Sequence, residues 1–307
     1  MTAVTGLATL LVLADGRLPA GGHAHSGGLE AAVTSGRLRD LAGLTAFLHG
    51  RLAGTGRVAA AFAAAACAAG SAACAAGSAA CAAGSAACAA GSAACAAGSA
   101  GDTARKPAEG AARFSGEPPG RAGGAPPRDG PDGAAGFSFE SPAGAGDAPP
   151  GDGPDGAVGS RIDALDQGMD ARTPSPALRR ASRAQGRALL RAGRAMWTVD
   201  SVIRNPHHPV ALGVVAAAAG LSPAEAAVAG AYGTVSGPAS AAVRLLGLDP
   251  YAVHALLAEL AGVCDRLAAL AATGADDPVD RLPADSTPLL EIGAEVHASW
   301  EVRLFAS

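Results

Sequence analysis

Two histidines one residue apart, His23 and His25, sit in the glycine-flanked stretch LPAGGHAHSGG, and two more, His207 and His208, are adjacent in NPHHP. An H-x-H pair in a loop can place two imidazoles on one metal ion, although a strong site also needs a third ligand such as a carboxylate or thiolate. His23 and His25 are therefore either a metal pair or part of a structured loop. His207 and His208, ahead of Pro209, read as the end of a loop before a helix. Five of the six cysteines recur in a heptad CAAGSAA that begins at Cys67, Cys74, Cys81 and Cys88, with a partial copy from Cys95. On a helix, residues seven apart are about 10 Å apart, beyond the roughly 4.4 to 6.8 Å between Cα atoms that a disulfide tolerates. The six-residue gap also matches no usual zinc spacing. Free thiols of a repeat expansion are the simpler reading, and adventitious binding of a soft metal is the other.

Catalytic signatures are absent from the sequence: there is no GxSxG, GxxxxGK[ST], HExxH or dinucleotide fingerprint between a strand and a helix. A chain of 307 residues with 23 Lys+Arg against 27 Asp+Glu and a net charge of -4 has no basic run suited to nucleic acid or an anionic membrane. The first sixteen residues carry no Lys or Arg, and the apolar stretch Leu7 to Ala14 stops at Asp15, so no secretory signal is read and a cytoplasmic protein is expected. The uncharged run Val58 to Gly101 has the length of a membrane span but is Ala, Gly, Ser and Cys with almost no Leu, Ile or Phe.

The elements that must position these residues read as helices. Ala3 to Ala14, Gly28 to Ser35 and a helix from Leu41 with Leu44, Phe47, Leu48 and Leu52 at spacings of three and four make up the first part, 1–66. The segment 67–160 is the cysteine repeat followed by a Gly-, Pro- and Asp-rich stretch that cannot bury enough surface to offset its ordering entropy. It reads as an insertion that can be deleted, Ala68 to Gly159 included, without loss of the fold. The remainder, 161–307, gives Ile162 to Ala171, Thr173 to Trp197, Val210 to Gly220, Pro223 to Arg244 with a break or kink at Pro238, and Pro250 to Thr273. The helix after Thr173 carries a basic face of Arg179, Arg180, Arg183, Arg187, Arg191 and Arg194, either solvated or a docking face for an acidic partner. No run alternates as a strand does, so the fold class is all-α, a helical bundle interrupted by one low-complexity insertion.

The stretches LPAGGHAHSGGLEAAV (Leu18 to Val33), ASRAQGRALLR (Ala181 to Arg191), HHPVALG (His207 to Gly213), SAAVRLLGL (Ser240 to Leu248) and the closing VRLFAS together, in that order, resemble the urease accessory protein UreF family. The resemblance covers everything except the insertion. It implies an all-α, dimeric protein without catalysis of its own, which bridges a UreD/UreH-type scaffold and the UreG GTPase and assists delivery of nickel to apo-urease. No tightly bound cofactor is implied, with nickel at most in transit. Residue by residue, Ser26, Gly28, Leu29 and Glu30 match a motif near the surface offered to the GTPase. Ser240 and Arg244 match a late motif at a dimer or partner interface, Arg303, Leu304 and Phe305 match a tail that docks on the scaffold, and Arg187 joins the partner-binding set. The rival reading is a small helical metal-binding or redox protein that uses the cysteine repeat.

Overall fold

The computed structural model describes residues 6–20, 22–73, 75, 154–201 and 203–305, and among them the regular structure is helical, with no strand. Helices α1 (Leu7–Ala14) and α2 (Leu29–Thr34) lead into α3 (Leu41–Arg51), a π turn over Leu52–Gly56, and α4 (57–73). After the undescribed segment come α5 (Pro154–Ala171), α6 (Pro176–Met196), α7 (His208–Ala218), α8 (Pro223–Leu246), α9 (Pro250–Thr273) and α10 (Pro288–Ala298).

Local chemistry sets most of these boundaries. Asp40 accepts the Gly43 N–H at 2.8 Å to start α3. Ser175 accepts the Leu178 N–H ahead of α6, and Asp249 accepts the Tyr251 N–H ahead of α9, each followed by a proline in the first helical turn. Ser222 and Glu225 form a reciprocal capping box for α8, which ends at Gly247 in the left-handed region, φ 64°.

Of the break or kink expected at Pro238, the break does not occur, and α8 runs through it to Leu246. Proline lacks the N–H that would bond to the carbonyl four residues back. That carbonyl, Thr234 O, is taken instead by Arg51 Nε at 2.8 Å, so the polar group orphaned by the proline is satisfied from another helix.

Two apolar cores lie on either side of α4. One gathers Val58, Phe62, Leu165, Leu189, Leu190, Val210 and Val215. The other gathers Leu29, Leu44, Leu48, Leu52, Val235, Val253 and Leu260. Because α4 meets packed neighbours on both sides, residues 60–67 are all buried, and all but Phe62 and Cys67 are alanine. The small side chains let backbones come close: a Cβ built on Gly213 of α7 would lie 2.4 Å from the Ala63 carbonyl oxygen and 2.7 Å from the Cys67 nitrogen. The helix Leu41–Ala73 is long and apolar enough to cross a membrane, and 72% of its apolar window is buried inside the protein.

The insertion expected to begin at Cys67 therefore starts too early. Cys67 and Ala69 are core residues, and a Cβ on Gly70 would meet Ala217 at 2.8 Å. Deleting Ala68 to Gly159 would strip this packing and the first turns of α5. The later cysteines, Cys74, Cys81, Cys88 and Cys95, and the Gly/Pro-rich stretch lie outside the described residues.

Candidate partner-docking site

The early glycines bend the chain so that α2 begins beside α10. Gly27 and Gly28 both take positive φ, 59° and 87°. A Cβ on Gly28 would meet only the end of the Leu290 side chain, Cδ1 at 2.2 Å, which can turn aside, so it is the positive φ that favours glycine there. Ser26 Oγ accepts the Glu30 N–H at 3.3 Å inside the protein.

Glu30, 5% exposed, then acts as a clasp for the end of the chain. Its Oε1 accepts the Leu304 N–H, and its Oε2 accepts the Phe305 N–H and the His297 Nε2–H, all three at 2.9 Å. A carboxylate in the first turn of a helix is further favoured by the unpaired N–H groups there. The Phe305 ring is buried, and the Arg244 guanidinium lies 4.8 Å from its centroid. His297 meets Trp300 edge to face at 4.8 Å. Three sequence groups spread over more than 270 residues, Ser26 to Glu30, Arg244, and Leu304 with Phe305, thus form one cluster. Ser240 lies exposed one helical turn before Arg244 on α8, and Arg303 is exposed on the final segment.

Helix α10 shows two faces. Inward, Gly293, Ala294 and His297 are buried. Glu295 Oε1 accepts the Ser175 hydroxyl and the Ala177 N–H at the start of α6, and these hydrogen bonds hold its carboxyl below the usual range. Outward, Leu289, Ile292 and Val296 are 69%, 62% and 52% exposed and form one row at spacings of three and four, and on the segment after α10 Val302 and Leu304 are also exposed, at 83% and 76%. Beside this row a groove of about 540 Å³ opens between α2, α3 and the start of α10, lined by Leu38, Phe47, Leu289 and Leu290. Neither α10 nor its apolar row was anticipated from the sequence, although the spacing of Leu289, Ile292 and Val296 after Pro288 was the available signal.

The remaining expected site residues lie elsewhere. Arg187 is exposed on α6 and bonds Asn205 Oδ1 at 2.5 Å. Of the basic face, Arg183 is turned into ion pairs with Asp166 at 2.9 Å and Asp170 at 2.6 Å, while Arg191 and Arg194 stay exposed. His25 follows the short 3-10 turn Gly22–Ala24 and lies near enough to His208 for their charges to interact. Among the described residues no three His, Cys, Asp or Glu side chains gather as a metal-ligand set. The Cys67 thiol donates to the Leu221 carbonyl at 3.3 Å, and burial pushes its pKa up to about 11, so it stays a neutral thiol rather than a thiolate ligand.

Ser182, His207 and Asp170 stand in a Ser–His–Asp order, with Ser182 Oγ 3.0 Å from His207 Nδ1 and His207 Nε2 2.9 Å from Asp170 Oδ1. The arrangement is used for architecture. Ser182 Oγ accepts the His208 N–H at 3.0 Å, Asp166 accepts the His207 N–H at 2.7 Å, and the network ties α5, α6 and the start of α7 together around a fully buried imidazole.

Burial, with a smaller contribution from His25, lowers the His208 pKa to about 4 from an ordinary value near 6.5. The folded form thus resists a proton that the unfolded chain accepts, so this stabilisation is complete above pH 6.5 and is lost as pH falls towards 4. Through His208 the protein is expected to be about 2 kcal/mol less stable at pH 5.0 than at pH 7.5. Urea denaturation at the two pH values should show the drop, and His208→Gln should shrink it. An unchanged drop would remove His208 as its source, leaving His207, whose pKa is also lowered and acts in the same direction, whereas the lowered Asp170 carboxyl acts only below about pH 4.

A family model described as UreF matches residues 151–261. Three similar proteins, each named urease accessory protein UreF, come from Mycobacterium sp. (strain JLS), Mycolicibacterium vanbaalenii and Mycobacterium tuberculosis (strain H37Rv). They are 36%, 35% and 30% identical over 99% of this chain and the whole of each relative.

Proposed function

The chain belongs to the urease accessory protein UreF family, and from that premise we propose that it acts as a non-catalytic assembly factor in urease maturation. In this reading it bridges a UreD/UreH-type scaffold and the UreG GTPase in the cytoplasm, as a homodimer. Nickel is the cargo, passed to apo-urease under control of the GTPase nucleotide state, and not a resident cofactor of this chain.

The observation that supports docking is the exposed row Leu289, Ile292 and Val296, held beside a terminal segment pinned by Glu30. Exposed apolar side chains in a contiguous row mark an interaction surface, and a rigid one loses little conformational freedom on binding. Ser26, Leu29 and Glu30 are themselves buried. Their part in recognition is to shape and hold the terminal segment, while Val302, Arg303 and Leu304 make the contact. The basic edge of α6, with Arg187 and Arg191, is the face assigned to an acidic partner.

Replacing both Ile292 and Val296 by Asp should leave helicity and melting behaviour near wild type, because both side chains are exposed, while weakening retention of the UreD/UreH-type scaffold at least about tenfold. Leu270→Asp, on an exposed position of α9, serves as the control. Co-purification with light scattering reads both the scaffold and the copy number. Full retention by the double variant would move the docking surface away from α10.

A further inference from the structure

Two part-buried guanidinium groups in the bundle pair with no carboxylate among the described residues. Arg51, at the end of α3, gives Nε to the Thr234 carbonyl at 2.8 Å and Nη1 to the Gly27 carbonyl at 2.5 Å. Arg172, just after α5, gives its N–H groups to the carbonyls of Gly168, Val279, Leu282 and Pro283 at 2.7 to 3.1 Å, with its plane over Phe62. Among the described residues the ion pairs of Asp and Glu go to Arg17, Arg57, Arg183, His207 and His297, and none to Arg51 or Arg172. Desolvation brings the Arg51 pKa down to about 10, which still leaves it a cation at neutral pH.

A part-buried charge without a carboxylate is only partly compensated by carbonyl dipoles. Both cations line one pocket of about 190 Å³, together with Thr55, Gln185, His208 and Glu291. Arg51 Nη2 carries two N–H donors that no hydrogen bond among the described residues takes and that stay open to the pocket, and the Gln185 carboxamide on the same wall adds more. The negative groups on the wall are already engaged. Asp285 pairs with Arg57 at 3.2 Å, and Glu291 accepts the backbone N–H groups of Thr287, ahead of α10, and Ser175, ahead of α6, while burial raises its carboxyl above the usual value. A cavity of about 150 Å³ holds a benzene-sized guest, so this one suits a small ion with a water or two.

We propose that this pocket binds a small oxyanion of the carboxylate, hydrogencarbonate or phosphate class, held by Arg51 Nη2 and balanced by the second positive charge of Arg172. Pro238 prepares the site. By leaving the Thr234 carbonyl without its helical partner, it provides the anchor that orients the guanidinium fork. The inference is independent of the docking row, since the anion would meet the inner wall of the bundle and not Leu289, Ile292 or Val296.

The test uses the full chain, melted in sodium acetate, hydrogencarbonate or phosphate against sodium chloride at equal ionic strength, with Arg51→Gln and the exposed-site control Arg191→Gln. At a tenfold excess over Kd, at least one oxyanion should raise Tm by about 3–6 °C. Arg191→Gln should keep that rise and Arg51→Gln should lose it. The response to the three salts identifies which anion class fits. Should Arg51→Gln fail to fold, the Arg51 Nε–H resonance of the wild-type chain, followed by nitrogen-15 NMR, should shift saturably with the same anion. No rise beyond chloride, an equal rise in a folded Arg51→Gln, or an Arg51 resonance indifferent to all three anions would overturn the proposal.

Discussion

Glu30→Ala destabilises the protein by about 3–5 kcal/mol, the expected cost of stripping the partner from a buried, hydrogen-bonded polar cluster, and frees its final segment. The alanine removes the acceptor of three donors at once, the N–H groups of Leu304 and Phe305 and His297 Nε2. All three are then without their carboxylate, and the Phe305 ring loses the anchor that keeps it under Arg244. Urea denaturation measures the loss, and amide hydrogen exchange at Leu304 and Phe305 should accelerate by more than the global change. Glu30→Gln keeps one accepting oxygen but points an NH₂ group at remaining donors, so it should fall between wild type and alanine. If Glu30→Ala unfolds at the wild-type urea concentration, the clasp carries no stability. If scaffold binding also survives with the terminal segment released, the segment needs no pre-positioning.

Gly213→Ala should be nearly as damaging, at about 3 kcal/mol, through a single added methyl group. The new Cβ would fall 2.4 Å from Ala63 O, 2.6 Å from Ala66 Cβ and 2.7 Å from Cys67 N, and two of those three atoms are backbone and cannot rotate away. Overpacking of this kind is relieved only by separating two helices, which loosens the core on both sides. Gly233→Ala provides the contrast. Nothing lies within 4 Å of its would-be Cβ in α8, so the helical preference of alanine should stabilise the protein by about 0.5–1 kcal/mol. Opposite signs for the same chemical change, read by thermal melts, would establish that proximity of backbones and not helix propensity governs the α4–α7 contact. Two small effects of the same sign would refute it.

The helices were legible because their signals are local. Pro250 to Thr273 is found where the Asp-Pro start and the glycine stop place it, and α8 starts at Ser222 with Pro223 as its cap chemistry dictates. What failed depends on contacts distant in sequence. Pro238 reads as a breaker until Arg51 is seen to take the freed carbonyl from 183 residues away. The alanines of α4 read as the start of a repeat until packing on both sides shows them to be core. Helix α10 is signalled by Pro288 and the spacing of Leu289, Ile292 and Val296, but that its apolar row faces outward is visible only in the fold. At the candidate site the resemblance singled out Glu30 and Phe305 separately, but only the fold joins them, and His297, which completes the clasp, carries no signal in its neighbourhood.

The π turn at Leu52–Gly56 has an angular consequence for everything before it. Each residue of an α-helix advances by about 100° around the axis, whereas a π turn accommodates one extra residue before the helix resumes. Without that residue, α3 would rotate by roughly a quarter turn or more relative to α4, and the azimuth of Arg51 would swing away from Thr234 and Gly27. With it, Leu44 and Leu48 point into one core while Val58 and Phe62, on the same continuous rod, point into the other. The turn is thus a phase shifter, and it lets one helix serve two interiors that an uninterrupted α-helix of the same sequence length would face out of step.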